Sequence, residues 1–131
     1  MSDYFSELKK YFENRQGIAL AFFFGSLSRG RGIPESDADV AIWLEPPYSL
    51  TDVSKIQSEI ESIVKRNVDL IVLNEARPSI AWAALRGKAL MVRDYGFYLR
   101  KMLDISREAE DFQNFLFDLW SWRRKVRGAF A

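Results

Sequence analysis

Two aspartates, Asp37 and Asp39, stand two positions apart at the start of an apolar stretch that ends at Leu44. Side chains alternate between the two faces of a β-strand, so this spacing places both carboxylates on one face if the stretch is a strand. Neighbouring carboxylates repel one another, and a divalent cation is the usual partner that holds them together. The pair therefore indicates a metal site.

A glycine–serine turn precedes these acids. Gly25 and Ser26 follow directly after the apolar run Ile18–Phe24. The backbone N–H groups and the hydroxyl of such a turn suit a phosphate group. Metal-binding acids beside a phosphate-binding turn are typical of phosphoryl or nucleotidyl transfer.

A third aspartate, Asp69, lies near the start of a second strand-like stretch, 68–73. The segment between the two stretches has an apolar stripe with helical spacing, and a helical crossover places the strands that it connects side by side. We therefore expect Asp69 beside Asp37 and Asp39. Three carboxylates arranged in this way can hold two metal ions about 4 Å apart for an in-line displacement.

The composition narrows the chemistry further. The chain of 131 residues contains no histidine and no cysteine, so a metal must be held by oxygen ligands, which favours Mg²⁺ or Mn²⁺. A net charge of +1 argues against direct nucleic-acid binding, because dedicated nucleic-acid domains usually carry a large basic excess.

Each of these features also has a simpler interpretation on its own. Asp37 can be a turn residue after Ser36, a glycine–serine pair is common in turns, and Asp69 can be a charge at a solvated strand edge. The order of all three features on these elements favours the catalytic interpretation.

Apolar periodicity and turn residues predict the order of the elements that must position these side chains. The segment up to about Arg15 is predicted as a helix with aromatic residues on one face, and a second helix begins at Ser49, Thr51 or Asp52 and ends at Asn67. The remaining predictions are strands at 18–24, 39–44, 68–73 and 89–92, a short helix from Arg77 to about Arg86, and a long, kinked or split helix over 95–127.

The combined motif resembles a known family. The string Gly25-Ser26-x-x-Arg29-Gly30, followed by Ser36-Asp37-x-Asp39 and later by Asp69, is similar to the polymerase-β-like nucleotidyltransferase superfamily. More closely, it resembles the minimal nucleotidyltransferases of the MntA antitoxin type, which are encoded beside small helical HEPN toxins. The resemblance covers about residues 18–92.

The resemblance implies a fold and a domain organisation. The expected fold is α+β, a two-layer α/β nucleotidyltransferase fold with a small mixed sheet of about four strands, helices packed on it and a long C-terminal helix. We expect a single domain over 1–131, with the catalytic core at 18–92 and a C-terminal helical segment at 94–127.

The resemblance also implies roles for individual residues. Asp37, Asp39 and Asp69 are the expected metal ligands and catalytic acids, holding two Mg²⁺ ions, with Mn²⁺ as an alternative. The expected nucleotide-binding residues are Gly25, Ser26, Arg29 and Ser36. Gly25 and Ser26 would hold the β- and γ-phosphates of ATP, while Ser36 and Gly30 shape the loop. Arg29 can neutralise phosphate charge, and a surface salt bridge is an equally good account of it.

The implied reaction is the transfer of AMP from ATP to a hydroxyl, expected to be a tyrosine of a partner HEPN toxin, which the modification would neutralise. One alternative is an antitoxin that neutralises its partner by occlusion without catalysis. Another is nucleotidyl transfer to a small molecule such as an aminoglycoside, although the chain is short for a domain that encloses such a substrate. The N-terminus has no signal-peptide pattern and no apolar run is long enough to cross a membrane, so we expect a cytoplasmic protein.

The C-terminal stretch 111–127 is rich in aromatic and basic residues. A helix over 95–127 would span about 50 Å and extend past a small sheet. Its aromatic overhang predicts a homodimer or toxin docking, unless the helix folds back and buries these side chains. The basic residues at its end favour compensation of the helix dipole over RNA binding; they are Arg123, Arg124, Lys125 and Arg127.

Overall fold

The computed structural model describes residues 4–24 and 38–109, together with Leu116, Leu119 and Ser121. Four helices and four strands form within the two continuous ranges. In chain order they are α1 (Tyr4–Asn14), β1 (Ile18–Phe24), β2 (Ala38–Leu44), α2 (Leu50–Val64), β3 (Val68–Val72), α3 (Pro78–Leu85), β4 (Lys88–Val92) and α4 (Tyr95–Glu108), with a short 3-10 turn, Leu73–Glu75, after β3. The predicted element order over this part of the chain is confirmed.

The four strands form one mixed sheet in the order β3–β2–β1–β4. β1 is antiparallel to both of its neighbours, whereas β2 and β3 are parallel and are connected by α2. The expected helical crossover between adjacent parallel strands is therefore present. The N-terminal ends of β2 and β3 and the C-terminal end of β1 meet at one end of the sheet.

Both faces of the sheet are covered by helices. On one face, α1 and α2 contribute Leu8, Phe12, Ile56 and Ile60 to a core cluster, and all four are almost inaccessible to water. On the other face, α3 and α4 pack against β1 and the middle of β2 in a second cluster. The expected small mixed sheet with packed helices is confirmed. The sequence predicted two layers in total, whereas the sheet lies between two layers of helices. Both layers are needed because the wholly apolar β1 must be covered on both faces.

Helix α2 has strong signals at both ends. Ser49 and Asp52 form a capping box, in which the Ser49 hydroxyl accepts from the Asp52 N–H and the Asp52 carboxylate accepts from the Ser49 N–H. Lys65 ends the helix in the left-handed conformation with φ 58°, two residues before the predicted end at Asn67. The chain then enters β3 at once, which places Asp69 close to the end of α2.

Asn74 holds the far ends of β2 and β3 together. Its side-chain oxygen accepts from the Leu44 N–H at 2.9 Å, and its amide donates to the Leu44 carbonyl at 2.8 Å. The side chain thus takes the place of a strand partner after β3 has ended at Val72. This pair of bonds resists sliding of β2 along β3.

Arg93 ties the end of β4 to the connection between α1 and β1. Its guanidinium donates to the carbonyls of Ile18, Phe12 and Arg15 at 3.3, 3.2 and 3.0 Å. Carbonyls at the end of a helix have no partner within the helix, and a cation there is favourable. The contact therefore caps α1 and anchors the start of β1.

The helix α4 forms the first part of the predicted C-terminal helical segment, and Leu116, Leu119 and Ser121 are helical further along the chain. α4 begins after Asp94, whose carboxylate accepts from two N–H groups of the first turn, and ends at Glu108. Within the segment predicted as helix over 95–127, Leu116 is 48% exposed, whereas Leu119 packs against the core cluster of α3 and α4. The predicted aromatic positions Phe112, Phe115, Phe117, Trp120 and Trp122 lie outside the described residues, as do the four basic residues predicted at 123–127. Within the described residues, no helix is long and apolar enough to cross a membrane.

Candidate active site

Asp39 and Asp69 lie directly opposite each other on the parallel strands β2 and β3. Paired Cα atoms on neighbouring strands are about 4.8 Å apart, so the two carboxylates can reach a common ligand. Asp39 is half-buried and Asp69 is exposed. The structure therefore brings together the two predicted acids that it describes.

The two carboxylates share the face of the sheet that α3 and α4 cover further along the strands. Ala41 and Ile71, two residues after Asp39 and Asp69, belong to the core cluster of that face. Because side chains alternate along a strand, the aspartates point to the same side as these two residues. They stand at the end of the sheet, just beyond its apolar interior.

The end of β1 lies next to this pair, since Phe24 is the register partner of Asp39. The chain leaves β1 at this point and returns at Ala38. The predicted nucleotide-binding residues Gly25, Ser26, Arg29 and Ser36 belong to this connection and lie outside the described residues. Asp37, the remaining predicted metal ligand, lies outside them as well. Residues 4–24 and 38–109 contain no group of three acidic, histidine or cysteine side chains that could hold a metal, so the three-carboxylate site remains a prediction.

Gly87 packs against the end of β1 more closely than any other residue type could. A Cβ atom at this position would lie 2.7 Å from the Phe23 carbonyl oxygen and 2.8 Å from the Phe24 Cβ. A tight turn connects α3 to β4 here, in which the Gly87 N–H donates to the Ala84 carbonyl at 3.0 Å. This turn leaves no room for a side chain at Gly87. The missing side chain allows β4 to start beside the point where the phosphate-binding turn is predicted to begin.

The start of β3 is held by two side chains of α2. Glu61 accepts from the Val68 N–H at 3.0 Å, and Gln57 donates to the Val68 carbonyl at 3.1 Å. Gln57 and Glu61 are four residues apart on the helix and contact each other at 3.4 Å. Asp69 is the next residue in the chain after the one that they hold.

Basic residues lie at this end of the sheet, because α2 and α3 both end there. The Arg66 guanidinium lies 5.2 Å from the centre of the Tyr4 ring, and the Lys88 ammonium lies 4.4 Å from that of Phe5. Arg86, at the end of α3, is exposed. Tyr4 and Phe5 pack on the α1 and α2 side of the sheet, so Arg66 and Lys88 contact the face opposite to the two carboxylates.

The donor set fits a hard divalent cation. Asp39 and Asp69 offer carboxylate oxygens at the same register on one face, which is the ligand type that Mg²⁺ and Mn²⁺ prefer. The chain has neither histidine nor cysteine to favour a softer metal. Within the described residues, these two aspartates are the ones placed to share such an ion.

The fold and the acid pair define a nucleotidyltransferase. The family model described as polymerase beta, nucleotidyltransferase matches residues 6–96, which include every strand of the sheet. The chain belongs to this family and is an enzyme of the nucleotidyltransferase class. The family resemblance predicted from the motif is confirmed.

The chain is also similar to individual proteins. The protein adenylyltransferase MntA of Thermococcus cleftensis is 30% identical over 78 residues, which cover 60% of this chain and 79% of the relative. Among solved structures, a chain of a toxin–antitoxin complex with AMP-PNP matches with a TM-score of 0.63, at 20% identity, over 88% of this chain and 94% of its own length. A chain of the complex of tri-AMPylated Shewanella oneidensis HEPN toxin with MNT antitoxin matches with a TM-score of 0.55, at 16% identity, over 94% and 98%. At these identities, the two structural matches show the minimal nucleotidyltransferase fold.

Sequence reasoning missed the residues that support the acid pair from neighbouring elements. The close packing of Gly87 had no sequence signal, because its contact with Phe24 joins residues that are far apart in the chain. Gln57 and Glu61 carried one weak signal, their spacing of four on the polar face of α2. That spacing is common on solvated helices and does not indicate a bond to the next strand.

Proposed function

We propose that this chain is an Mg²⁺-dependent protein adenylyltransferase that transfers AMP from ATP to a tyrosine hydroxyl of a partner HEPN toxin and thereby acts as its antitoxin. The observation that carries the proposal is the register of Asp39 and Asp69, which places two carboxylates together beside the end of β1. The matched relative is named a protein adenylyltransferase, which supports the same reaction.

Each predicted site residue has a proposed role. Asp39 and Asp69, together with Asp37 from the preceding connection, are the proposed ligands of Mg²⁺. Gly25 and Ser26, which follow directly after β1, are proposed to bind the β- and γ-phosphates of ATP through backbone N–H groups and the hydroxyl. Arg29 and Ser36 complete the proposed nucleotide site from the same connection.

Catalysis by this set consists mainly of positioning and charge neutralisation. The acceptor oxygen forms a bond to the α-phosphorus of ATP as the bond from that phosphorus to the β-bridging oxygen breaks, and pyrophosphate leaves. Asp69 is the proposed acceptor of the hydroxyl proton, which then passes to solvent. Bound Mg²⁺ would neutralise charge on the phosphates and lower the pKa of the attacking hydroxyl.

The proposed partner and nucleotide derive from the structural relatives. One of them was solved with AMP-PNP, an analogue of ATP, and another with a tri-AMPylated HEPN toxin. This chain shares their fold over most of its length. A protein acceptor also suits the open position of the acid pair, because the exposed Asp69 can be approached by a large molecule.

The experiment combines the purified chain with a candidate HEPN partner protein, Mg²⁺ and each of the four nucleoside triphosphates in turn. Intact-mass spectrometry should show the mass of one or more AMP units added to the partner with ATP alone. Changing the modified tyrosine of the partner to phenylalanine should remove the addition. An unmodified partner under all four conditions would refute the proposed reaction.

A second candidate is neutralisation by occlusion, and the exposed apolar side chains near the C-terminal end favour it. Tyr95 is 51% exposed and Leu116 is 48% exposed, and a bound partner could cover both. The double variant Asp39→Asn/Asp69→Asn separates the two functions. If it still silences the toxin at a one-to-one ratio, occlusion is sufficient; if silencing is lost while binding persists, neutralisation requires transfer.

A further inference from the structure

We infer that Gln57 and Glu61 are positioning residues of the active site, which hold the backbone of Val68 and so place the Asp69 carboxylate opposite Asp39. The inference rests on the proposed function, because it assigns Asp69 to the metal site. Neither side chain is proposed to touch substrate. Their contribution is the fixed start of β3.

The geometry accounts for both polar groups of one backbone position. Glu61 accepts the Val68 N–H at 3.0 Å, and Gln57 donates to the Val68 carbonyl at 3.1 Å. β3 is the edge strand of the sheet, so backbone groups that face away from β2 have no strand partner. The Val68 side chain is itself only 4% exposed. An unpaired backbone group beside this buried side chain would be unfavourable, and α2 supplies the missing partners.

The effect on Asp69 follows from its place in the strand. Val68 is the first residue of β3, and without a fixed first residue the end of an edge strand frays. Asp69 would then lose its register with Asp39, since its side chain is exposed and has little packing of its own. The opposite end of the same strand pair is already held by Asn74. The two α2 side chains thus hold β3 in register at the end where the acids lie.

Two measurements test the inference on the full chain with Glu61→Ala, Gln57→Ala and the double variant. Hydrogen exchange followed by NMR, without metal, should show faster exchange of the Val68 amide in the variants that lack Glu61. Mn²⁺ titration followed by electron paramagnetic resonance should show affinity reduced by about tenfold, the usual effect of removing a partner that orients a metal ligand. The conservative variant Glu61→Gln keeps an oxygen that can accept the Val68 N–H, so both readouts should return towards wild type.

Glu59→Ala provides the matched control on the same helix. Glu59 is two residues from Glu61 but contacts Tyr11 and Arg15 of the α1 region, so its loss should lower stability without changing Mn²⁺ affinity. Equal Val68 exchange and equal Mn²⁺ affinity in Glu61→Ala and Glu59→Ala would overturn the inference. A wild-type chain that binds Mn²⁺ but adds no AMP to the partner would instead refute the proposed function and leave the positioning role intact.

Discussion

Asp39 faces Asp69 across the parallel pair β2 and β3, at the end of the sheet where β1 also finishes. Like charges directly opposite each other on a sheet are destabilising, so this arrangement costs free energy in the absence of a counterion. A cation bound between the two carboxylates would offset this free-energy cost. The register of these two residues is therefore the central structural feature of the candidate active site.

Changing Asp69 to Asn should abolish transfer and leave the fold intact. The variant loses a charged metal ligand worth several kcal/mol in the transition state, so we expect the rate to fall by about a hundredfold or more. The melting temperature should stay equal or rise slightly, because one of two facing like charges is removed. Single-turnover transfer assays and thermal unfolding measure the two effects.

Asp104→Asn is the control for this variant. Asp104 is an exposed aspartate on α4, outside the two strands that carry the acid pair. It should transfer AMP at the wild-type rate. Undiminished transfer by Asp69→Asn would remove Asp69 from the site.

Changing Asn74 to Ala should lower stability through loss of the two bonds to Leu44. The buried end of β2 would then have an unpaired N–H and carbonyl, which costs about 1–3 kcal/mol for each group left without a partner. Urea unfolding measures the difference. Asn14→Ala, which removes a single bond at the exposed end of α1, should change the free energy of unfolding much less. Equal effects of the two substitutions would contradict the proposed role of Asn74.

Changing Gly87 to Ala should damage both stability and transfer. The new Cβ would have to displace the Phe23 carbonyl and Phe24, and overpacking of this kind costs about 1–3 kcal/mol. The displaced end of β1 leads directly into Gly25, so nucleotide binding should weaken as well. Calorimetric titration with a non-hydrolysable ATP analogue measures the second effect.

Gly96→Ala gives a comparison with the opposite expected sign. A Cβ atom at Gly96 would meet only the ends of the Asp94 and Arg100 side chains, at 3.2 and 3.4 Å. Alanine is favoured over glycine within a helix by up to about 1 kcal/mol, so this variant should keep or gain stability. Equal losses in the two variants would argue against tight packing at Gly87.

Tyr11 should make stability fall at alkaline pH. Burial and the hydrogen bond to the Glu59 carboxylate, at 2.5 Å, raise the pKa of Tyr11 from 10.0 to about 12. Between these two values the unfolded chain releases the phenolic proton while the folded chain retains it. The folded state binds more protons there, so the free energy of unfolding falls as the pH rises from about 10 to 12.

Chemical denaturation at several pH values between about 9 and 12 measures this decline in the wild type and in Tyr11→Phe. The phenylalanine variant cannot ionise at this position and should show a shallower decline. Tyr48→Phe is the comparison: the hydrogen bond to Glu75 also raises the pKa of Tyr48, but without the large contribution of burial, so this variant should change the decline less than Tyr11→Phe. Identical slopes for wild type and Tyr11→Phe would show that Tyr11 does not titrate in this range.

Local patterns were sufficient to predict the elements of this fold. The apolar run of β1 was predicted with its observed ends, and the N-cap of α2, Ser49, is one of the three start residues that the sequence offered. These signals are short-range, because burial and capping act on residues that are close in the chain. The adjacency of β2 and β3 also followed from the sequence, since a helical crossover leaves few other arrangements.

The C-terminal region shows what local patterns left open. The periodicity of 95–127 predicted one long helix, kinked or split, and α4 ends at Glu108 while Leu116, Leu119 and Ser121 are helical further along the chain. An apolar stripe predicts that its residues are buried but not which surface they pack against. Leu119 packs against the core cluster of α3 and α4, a contact between residues far apart in the sequence.

The chemistry predicted for the site rests on residue types alone. Asp37, Asp39 and Asp69, with the absence of histidine and cysteine, predict a metal site with oxygen ligands. Their register, the close contact of Gly87 with Phe24 and the hold of α2 on Val68 arose only when the chain folded. The physical reason is the distance along the chain over which each property is determined. The chemistry of a side chain belongs to a single residue, whereas its exact position depends on packing and hydrogen bonds between elements that are far apart in the sequence.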